Sequence, residues 1–570
     1  MSEAASEAPS QRQTTVEGHG GTIAVAVARQ HGVQAMFTLS GAHVFPLYDG
    51  AVKADPPLPL IDVRHEQTAV FAAEGTAKLT RTPGLAVLTA GPGVTNGISA
   101  VTTARFNGSP LLVLGGRAPA ARWGTGALQE LDQPPLLAPV TKRAATVTSV
   151  GALAAEVDAA LRLACSPHRG PVFLDVPMDE LFSYATAALP DPPAPQPLAP
   201  DPGALAGVAR LLAAAERPVL VLGADVWMGG AEEAARRAAT TLRLPVIANG
   251  MGRGVVAPGD GLLVTRARSL AFGAADLVLV VGAPLDFRLG YGSFGGRDGN
   301  PPAKVVHVVD APTELATHVE LAGAVSGDLG LALDGLVTAF EAEAGGGLRG
   351  ERAGATWPAW LRRLRDAARE AEAGDRALLE SDATPIHPAR VYGELRRLLA
   401  DDAVVIGDGG DFVSFAGRYL EPTRPGGWLD PGPYGCLGAG LGYAIAARLA
   451  RPQSQVVLLL GDGAAGFSLM DVDTLVRHRL PVVMVCGNNG VWGLEKHPMR
   501  ALYGYDVAAD LQPGCRYDQV ATALGGAGEL VTDPAGIGAA LRRAFDAGVP
   551  YLVNVATDPN VAYPRATTGI

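Results

Sequence analysis

The chain has 570 residues, 48% of them hydrophobic and 18% charged, and its 46 basic against 57 acidic residues leave a net charge of −11. That length allows three or four domains, and an acidic balance with no stripe of Lys and Arg speaks against nucleic acid as a partner. No apolar run reaches the roughly 18–20 residues of a membrane span, and Cys165, Cys436, Cys486 and Cys515 lie too far apart for metal-ligand spacing, reading instead as reduced thiols of a cytoplasmic protein.

The opening dozen residues (MSEAASEAPSQR) lack a basic-then-apolar signal pattern and read as a tail. From 14 to 189, helical patterns alternate with short apolar strands at Ala35–Leu39, Pro59–Val63, Leu85–Thr89 and Leu111–Leu114. Each strand leaves through polar or glycine-rich residues, as the strands of a doubly wound sheet do at their functional edge. The proline run over 190–202 can form neither ladder nor helix and is a linker. A second α/β unit, 203–340, has strands at Pro218–Gly223, Pro245–Ala248, Leu277–Gly282 and Val305–Asp310, and the last ends on an acid where a ribose could be held. A charged helical connector follows over 341–375. The third unit, 385–570, opens near Ile386 and has its first strand at Ala403–Ile406. The expected fold is therefore α/β, with three doubly wound parallel sheets.

The third unit is organised around two polar clusters. Gln455–Leu460 is an apolar strand that runs into Gly461–Asp462–Gly463, a helix is expected over Phe467–Arg477, and Pro481–Cys486 is a buried strand that runs into Asn488–Asn489. Strand, crossover helix and strand make a βαβ unit, so both clusters should emerge at the carboxyl edge of adjacent parallel strands. One carboxylate and one amide oxygen suit Mg²⁺ carried in by a diphosphate, and the glycines let the backbone approach phosphates closely. Each dipeptide alone is ordinary turn chemistry. It is their spacing, on two neighbouring strand ends, that points to a cofactor.

Gly-Asp-Gly followed after 24 residues by Asn-Asn resembles the cofactor motif of thiamine diphosphate enzymes. The resemblance implies a metal held by Asp462, Asn489 and the carbonyl of Val491. Arg64–His65–Glu66–Gln67, with Ala72–Gly75 and Gly91–Asn96, is similar to the acetolactate synthase and 2-hydroxyacyl-CoA lyase branch of that family. It implies that Glu66 hydrogen-bonds the aminopyrimidine ring and promotes loss of the thiazolium proton. By the same resemblance the cofactor would also meet Gly410, Asp411, Phe412, Gly435, Gly461, Gly463, Ala464, Trp492 and Gly493, with Leu437 wedging it into a bent form. The second unit resembles the nucleotide-binding domain of this branch, which implies ADP, coenzyme A or FAD there and makes Arg266, Arg268, Ser269 and Asp310 candidate contacts.

Within the branch, Gly41–Ala42–His43 resembles carboligating lyases, whose histidine reaches the substrate oxygen, and Gly126–Asp132 resembles 2-hydroxyacyl-CoA lyases. His43 and Gln129 are accordingly candidate catalytic residues, with Leu128 and Leu494 as pocket walls. Glu495, six residues beyond Asn489, is placed to exchange a proton with a substrate hydroxyl as a carbon–carbon bond breaks; the competing reading is an ion pair with Lys496 or Arg500. The expectation is a lyase that reversibly splits a short-chain 2-hydroxyacyl-CoA into formyl-CoA and an aldehyde or ketone. The alternative is acetolactate synthase, joining two 2-ketoacids. The resemblance also implies a homodimer at minimum and usually a homotetramer, with Glu66 of one chain facing Asp462 and Asn489 of another. The tail over 558–570, with Tyr563 and Arg565, is expected to close over the substrate.

Overall fold

Runs of Val, Leu and Ile that are apolar on both faces pair as parallel strands, because such a sheet is covered by helices on either side. The computed structural model describes residues 14–191, 196–297, 299–344 and 349–564. Its first six-stranded sheet has the order Leu60–Asp62, Met36–Thr38, Gly84–Leu88, Leu111–Arg117, Pro171–Pro177, Ala144–Thr146, with every pair parallel. Pro171–Pro177 escapes a reading by pattern because proline stands at both of its ends, yet all seven of its residues are buried and pair with Leu111–Arg117. The second sheet runs Val246–Ala248, Pro218–Leu222, Leu277–Val281, Lys304–Val309, Gly323–Ser326. The third runs Trp428–Leu429, Val404–Asp408, Val456–Gly461, Val483–Asn488, Tyr551–Ala556, Ala527–Val531. Three parallel sheets layered with helices are the architecture expected from the sequence.

The units are bound to one another through named residues. Helix Glu66–Thr80 of the first packs on helix Ala439–Ala450 of the third, and their approach is close because both carry glycine at the crossing. A Cβ at Gly442 would lie 2.6 Å from that of Phe71, and one at Gly75 would lie 2.9 Å from that of Ala446. Phe71 meets Tyr443 edge to face at 5.8 Å, and Tyr443 donates its hydroxyl to the buried Glu74 at 2.8 Å. One apolar cluster consequently runs through both units, from Phe37 and Phe173 to Ile406 and Leu552. Each large side chain fully buried in it stabilises the fold by about 1.5–3 kcal/mol.

The middle unit keeps a cluster of its own and reaches the junction with Trp227, whose Nε1 donates to the Lys78 carbonyl at 2.6 Å while the Arg81 guanidinium stacks 3.7 Å from its ring. The connector forms helix Arg349–Leu379. Near its end the buried Asp375 accepts from Arg266 of the middle unit and from Arg418 of the third, the latter at 2.7 Å.

Candidate active site

In the third sheet Val404–Asp408 has Trp428–Leu429 on one side and Val456–Gly461 on the other, so the winding reverses between the first and last of these and their exits part to leave a crevice. Asp462 stands there as the first residue of helix Asp462–Ser468. The helix starts five residues earlier than expected, is interrupted by a 3₁₀ turn at Leu469–Asp471, and resumes over Val472–Arg477. Asp462 accepts the Gly490 amide at 2.6 Å and the Gly463 amide at 2.9 Å. Burial outweighs those bonds and pushes its pKa up to about 6. Asn489 follows strand Val483–Asn488, and its Oδ1 takes the Val491 amide at 3.1 Å.

These residues fit a divalent metal and a diphosphate. The donors are all oxygen, as Mg²⁺ requires, and a Cβ at Gly435 or Gly461 would meet no atom within 4 Å, which leaves bare backbone facing open space. The Trp492 ring lies against Gly463, where a Cβ would come within 2.4 Å of it, and Ala464 is buried beside Gly409. Gly493 begins helix Gly493–Tyr503.

Leu437 is bracketed from both sides. Its carbonyl accepts from Gln67 Nε2 at 3.1 Å, and the next amide, of Gly438, donates to Asp408 at 3.1 Å. Asp408 also takes the Gly440 amide at 2.8 Å, so one buried carboxylate caps the helix that follows the wedge.

Glu66 is the first residue of its helix, where the dipole favours an acid, and His65 caps that helix by accepting the Gln67 amide at 3.1 Å. The Glu66 side chain is buried, with Asn96 Nδ2 donating to its Oε2 at 3.0 Å. A Cβ on Gly93 would sit 3.7 Å from its Oε1. Asn96 was legible only as part of the Gly91–Asn96 run; its place one turn into helix Pro92–Phe106 is what brings it to the carboxylate.

Profiles of thiamine pyrophosphate enzymes match this chain in three parts: the N-terminal TPP-binding domain over 18–136, the central domain over 205–336 and the C-terminal TPP-binding domain over 408–555. The chain belongs to the thiamine pyrophosphate enzymes. A probable acetolactate synthase of Mycobacterium bovis is 51% identical over 96% of this chain and 97% of its own length. The acetolactate synthase large subunit IlvG of Mycobacterium tuberculosis matches to the same extent. The 2-hydroxyacyl-CoA lyase 2 of Homo sapiens is 34% identical over 90% of this chain and 85% of its own length. The branch holding acetolactate synthases and 2-hydroxyacyl-CoA lyases is thus the right one.

In this thiamine pyrophosphate enzyme His43 is buried in a 3₁₀ turn, its Nδ1 3.2 Å from Thr89 Oγ1. Burial lowers its pKa, against a hydrogen bond to the Leu128 backbone that works the other way, so the ring is neutral near pH 7. Gln129 adopts φ +61°, a left-handed backbone that costs a non-glycine residue about 1–2 kcal/mol and gathers at functional sites. Leu128 beside it is 78% exposed, whereas Leu494 packs on Gly410 in the third unit; the described contacts do not bring the two leucines into one pocket wall. The Phe412 ring is buried against Gly487 and belongs to the core, which leaves only its backbone for a cofactor. Asp411 opens helix Asp411–Tyr419 and accepts the Tyr563 amide at 3.0 and 3.1 Å, with the Tyr563 ring edge-on to Phe415 at 5.1 Å. The tail is therefore docked beside the crevice as far as Pro564; Arg565 lies outside the described residues.

The ion pair weighed for Glu495 does not form. Lys496 binds Asp506 at 2.9 Å and also Asp510, and Arg500 binds Asp506. Among the described residues the Glu495 carboxylate has no side-chain partner.

In the middle unit the nucleotide contacts expected from the sequence are engaged otherwise. Arg266 is held by Asp375, and Arg268 donates to the Arg288 carbonyl and stacks on Phe272 at 4.6 Å. Asp310 pairs with His168 of the first unit at 2.9 Å, with Arg169 at 3.7 Å. Burial works against a charge on His168, but the Asp310 bond and the nearby Asp225 lift its pKa to about 9, so the pair is ionic at neutral pH. Ser269 alone of the four is exposed at a helix start. Among the described residues no helix is long and apolar enough to cross a membrane.

Proposed function

We propose that this enzyme makes or breaks a carbon–carbon bond beside a carbonyl, and that its reaction is acetolactate synthesis from two 2-ketoacid molecules. The observation that carries this reading is 51% identity across 96% of the chain with two mycobacterial proteins named acetolactate synthase, in a sequence that holds Glu66, Asp462 and Asn489. The weight of these likenesses moves the reading from the lyase expected at first to its alternative. The bound thiamine diphosphate supplies a carbanion-forming carbon and an electron sink. The rest is the work of this chain. Asp462, Asn489 and the Val491 carbonyl would hold Mg²⁺ and through it the diphosphate. Glu66, oriented by Asn96, would hold the proton that activates the aminopyrimidine, and Leu437 would set the bend. His43, neutral and buried, would hydrogen-bond the carbonyl oxygen of the incoming substrate.

A second reading, the 2-hydroxyacyl-CoA lyase, is supported by the 34% identity with the human 2-hydroxyacyl-CoA lyase 2 and gives Glu495 a role. An exposed, unpaired carboxylate in the first turn of the helix that follows the metal loop is free to take and return the substrate's hydroxyl proton; in the condensing direction the new alkoxide needs a proton in the same way. Incubation with pyruvate, and separately with a short 2-hydroxyacyl-CoA, separates the two: acetolactate formation supports the synthase, and formyl-CoA with an aldehyde or ketone supports the lyase. Glu495→Gln should slow whichever reaction the parent carries out by about 10–10⁴-fold.

We also propose a cytoplasmic homodimer or homotetramer, in which Glu66 of one chain serves Asp462 and Asn489 of its partner. A fully active monomer in light scattering would refute it. The middle-unit ligand, FAD, ADP or coenzyme A, would have to displace the His168–Asp310 pair to use Asp310.

A further inference from the structure

Gln133 is fully buried, follows the strained Gln129 by four residues, and has no part in the roles given so far. Its side chain is saturated with partners from three separate segments. Oε1 accepts the Gly91 amide at 2.8 Å. Nε2 donates to the Gly116 carbonyl at 2.9 Å and to Asp175 Oδ2, also at 2.9 Å. That oxygen of Asp175 takes Arg117 at 2.9 Å as well, and Arg117 reaches on to Asp132 at 3.1 Å. The C-terminal end of the short segment holding Gln129 is therefore tied down at two adjacent residues, Asp132 and Gln133.

Gly91 is the hinge of the arrangement. Its φ of +59° is one that an L side chain avoids, and a Cβ there would come within 2.9 Å of the Gln129 carbonyl and 3.1 Å of the Gln129 Cβ. Two residues later Gly93 lies against Glu66, and five residues later Asn96 donates to it. The Gly91 turn thus touches Gln129 on one side and launches the helix that orients Glu66 on the other. A glutamine fits where a carboxylate would not, because it must accept from Gly91 and donate to Asp175 at once.

We infer that Gln133 is a positioning residue that locks the Gln129 segment to the Gly91 turn and through that turn sets Glu66. The inference rests on the thiamine chemistry of the family and is independent of which substrate is used.

Gln133→Leu in the holoenzyme should slow deuterium exchange at the thiazolium carbon, measured without substrate, by about 10–100-fold, the loss expected from one or two bonds of this kind. In the cofactor-free protein, hydrogen exchange read by mass spectrometry should show the Gly91 amide losing protection, while peptides over 483–491 keep theirs. Gln133→Glu should show a deficit, relative to the parent, that shrinks as pH falls, because only the protonated carboxyl can donate to Asp175. Unchanged thiazolium exchange in a folded Gln133→Leu overturns the inference. A pH-independent deficit in Gln133→Glu overturns it too, and that test stands even where the leucine variant fails to fold. Absence of exchange in the parent protein would instead contradict the family chemistry.

Discussion

Asp408→Asn separates the charge of the buried cap from its shape. The carboxylate has no exposed surface and is bonded to two glycine amides, yet burial wins and lifts its pKa from 3.8 to about 6. A shift of about two units corresponds to about 3 kcal/mol at neutral pH. Its sign follows from the direction: the folded chain binds this proton more tightly than the unfolded chain, so stability falls as pH rises from about 4 to about 6 and is level beyond. Asparagine resembles the protonated acid and escapes that loss, but its NH₂ must face one of the two amides, at a cost of about 1–3 kcal/mol. Relative to the parent, the variant should be about 1–3 kcal/mol less stable near pH 4 and equal or more stable near pH 7. Cofactor affinity should nevertheless fall at least tenfold, because residue 408 no longer holds both Gly438, the residue after Leu437, and Gly440. Urea midpoints between pH 4 and 7.5, with cofactor titration at pH 7, check both parts. A stability difference that ignores pH, or an unchanged affinity, would refute the reasoning.

Asp462→Ala should lose cofactor on desalting, since the oxygens of Asn489 and Val491 carry no formal charge to replace it; full retention of cofactor and metal by mass spectrometry would contradict the assignment. Asn96→Ala should leave cofactor binding intact but lower kcat by about tenfold, the effect of one lost hydrogen bond, while Glu66→Gln should abolish thiazolium exchange. Removing 562–570 detaches Tyr563 from Asp411 and should raise KM more than it lowers kcat; identical kinetics would mean that docking of the tail has no bearing on the site.

The order of the units, most strands and the Asp462–Asn489 pair were legible because each rests on local pattern: apolar runs, glycine exits and fixed spacing. What escaped depends on partners remote in sequence. Nothing around Asp310 announces that His168 will occupy it, and Arg266 looks like a free phosphate ligand until Asp375 arrives from the connector. Glu495 illustrates the converse. Its neighbours Lys496 and Arg500 made an ion pair reasonable, but two aspartates that fold back from 506 and 510 claim both cations. Gln133 carried no signal at all, since a lone glutamine after a turn is ordinarily a surface residue.

The apolar seam between helices Glu66–Thr80 and Ala439–Ala450 bears on how the chain comes to be folded. Roughly 360 residues separate these two helices, so at about 5–20 residues per second the ribosome needs on the order of 20–70 s to deliver the second after the first. Throughout that interval Phe71, Ala72 and the surface around Gly75 of the nascent first unit have no counterpart, whereas the middle unit, with a cluster of its own, can settle as soon as it emerges. Exposed apolar surface of this kind is what holding chaperones recognise and what aggregates at high expression. The yield of active protein should accordingly be limited by protection of the first unit during synthesis, before any question of cofactor supply arises.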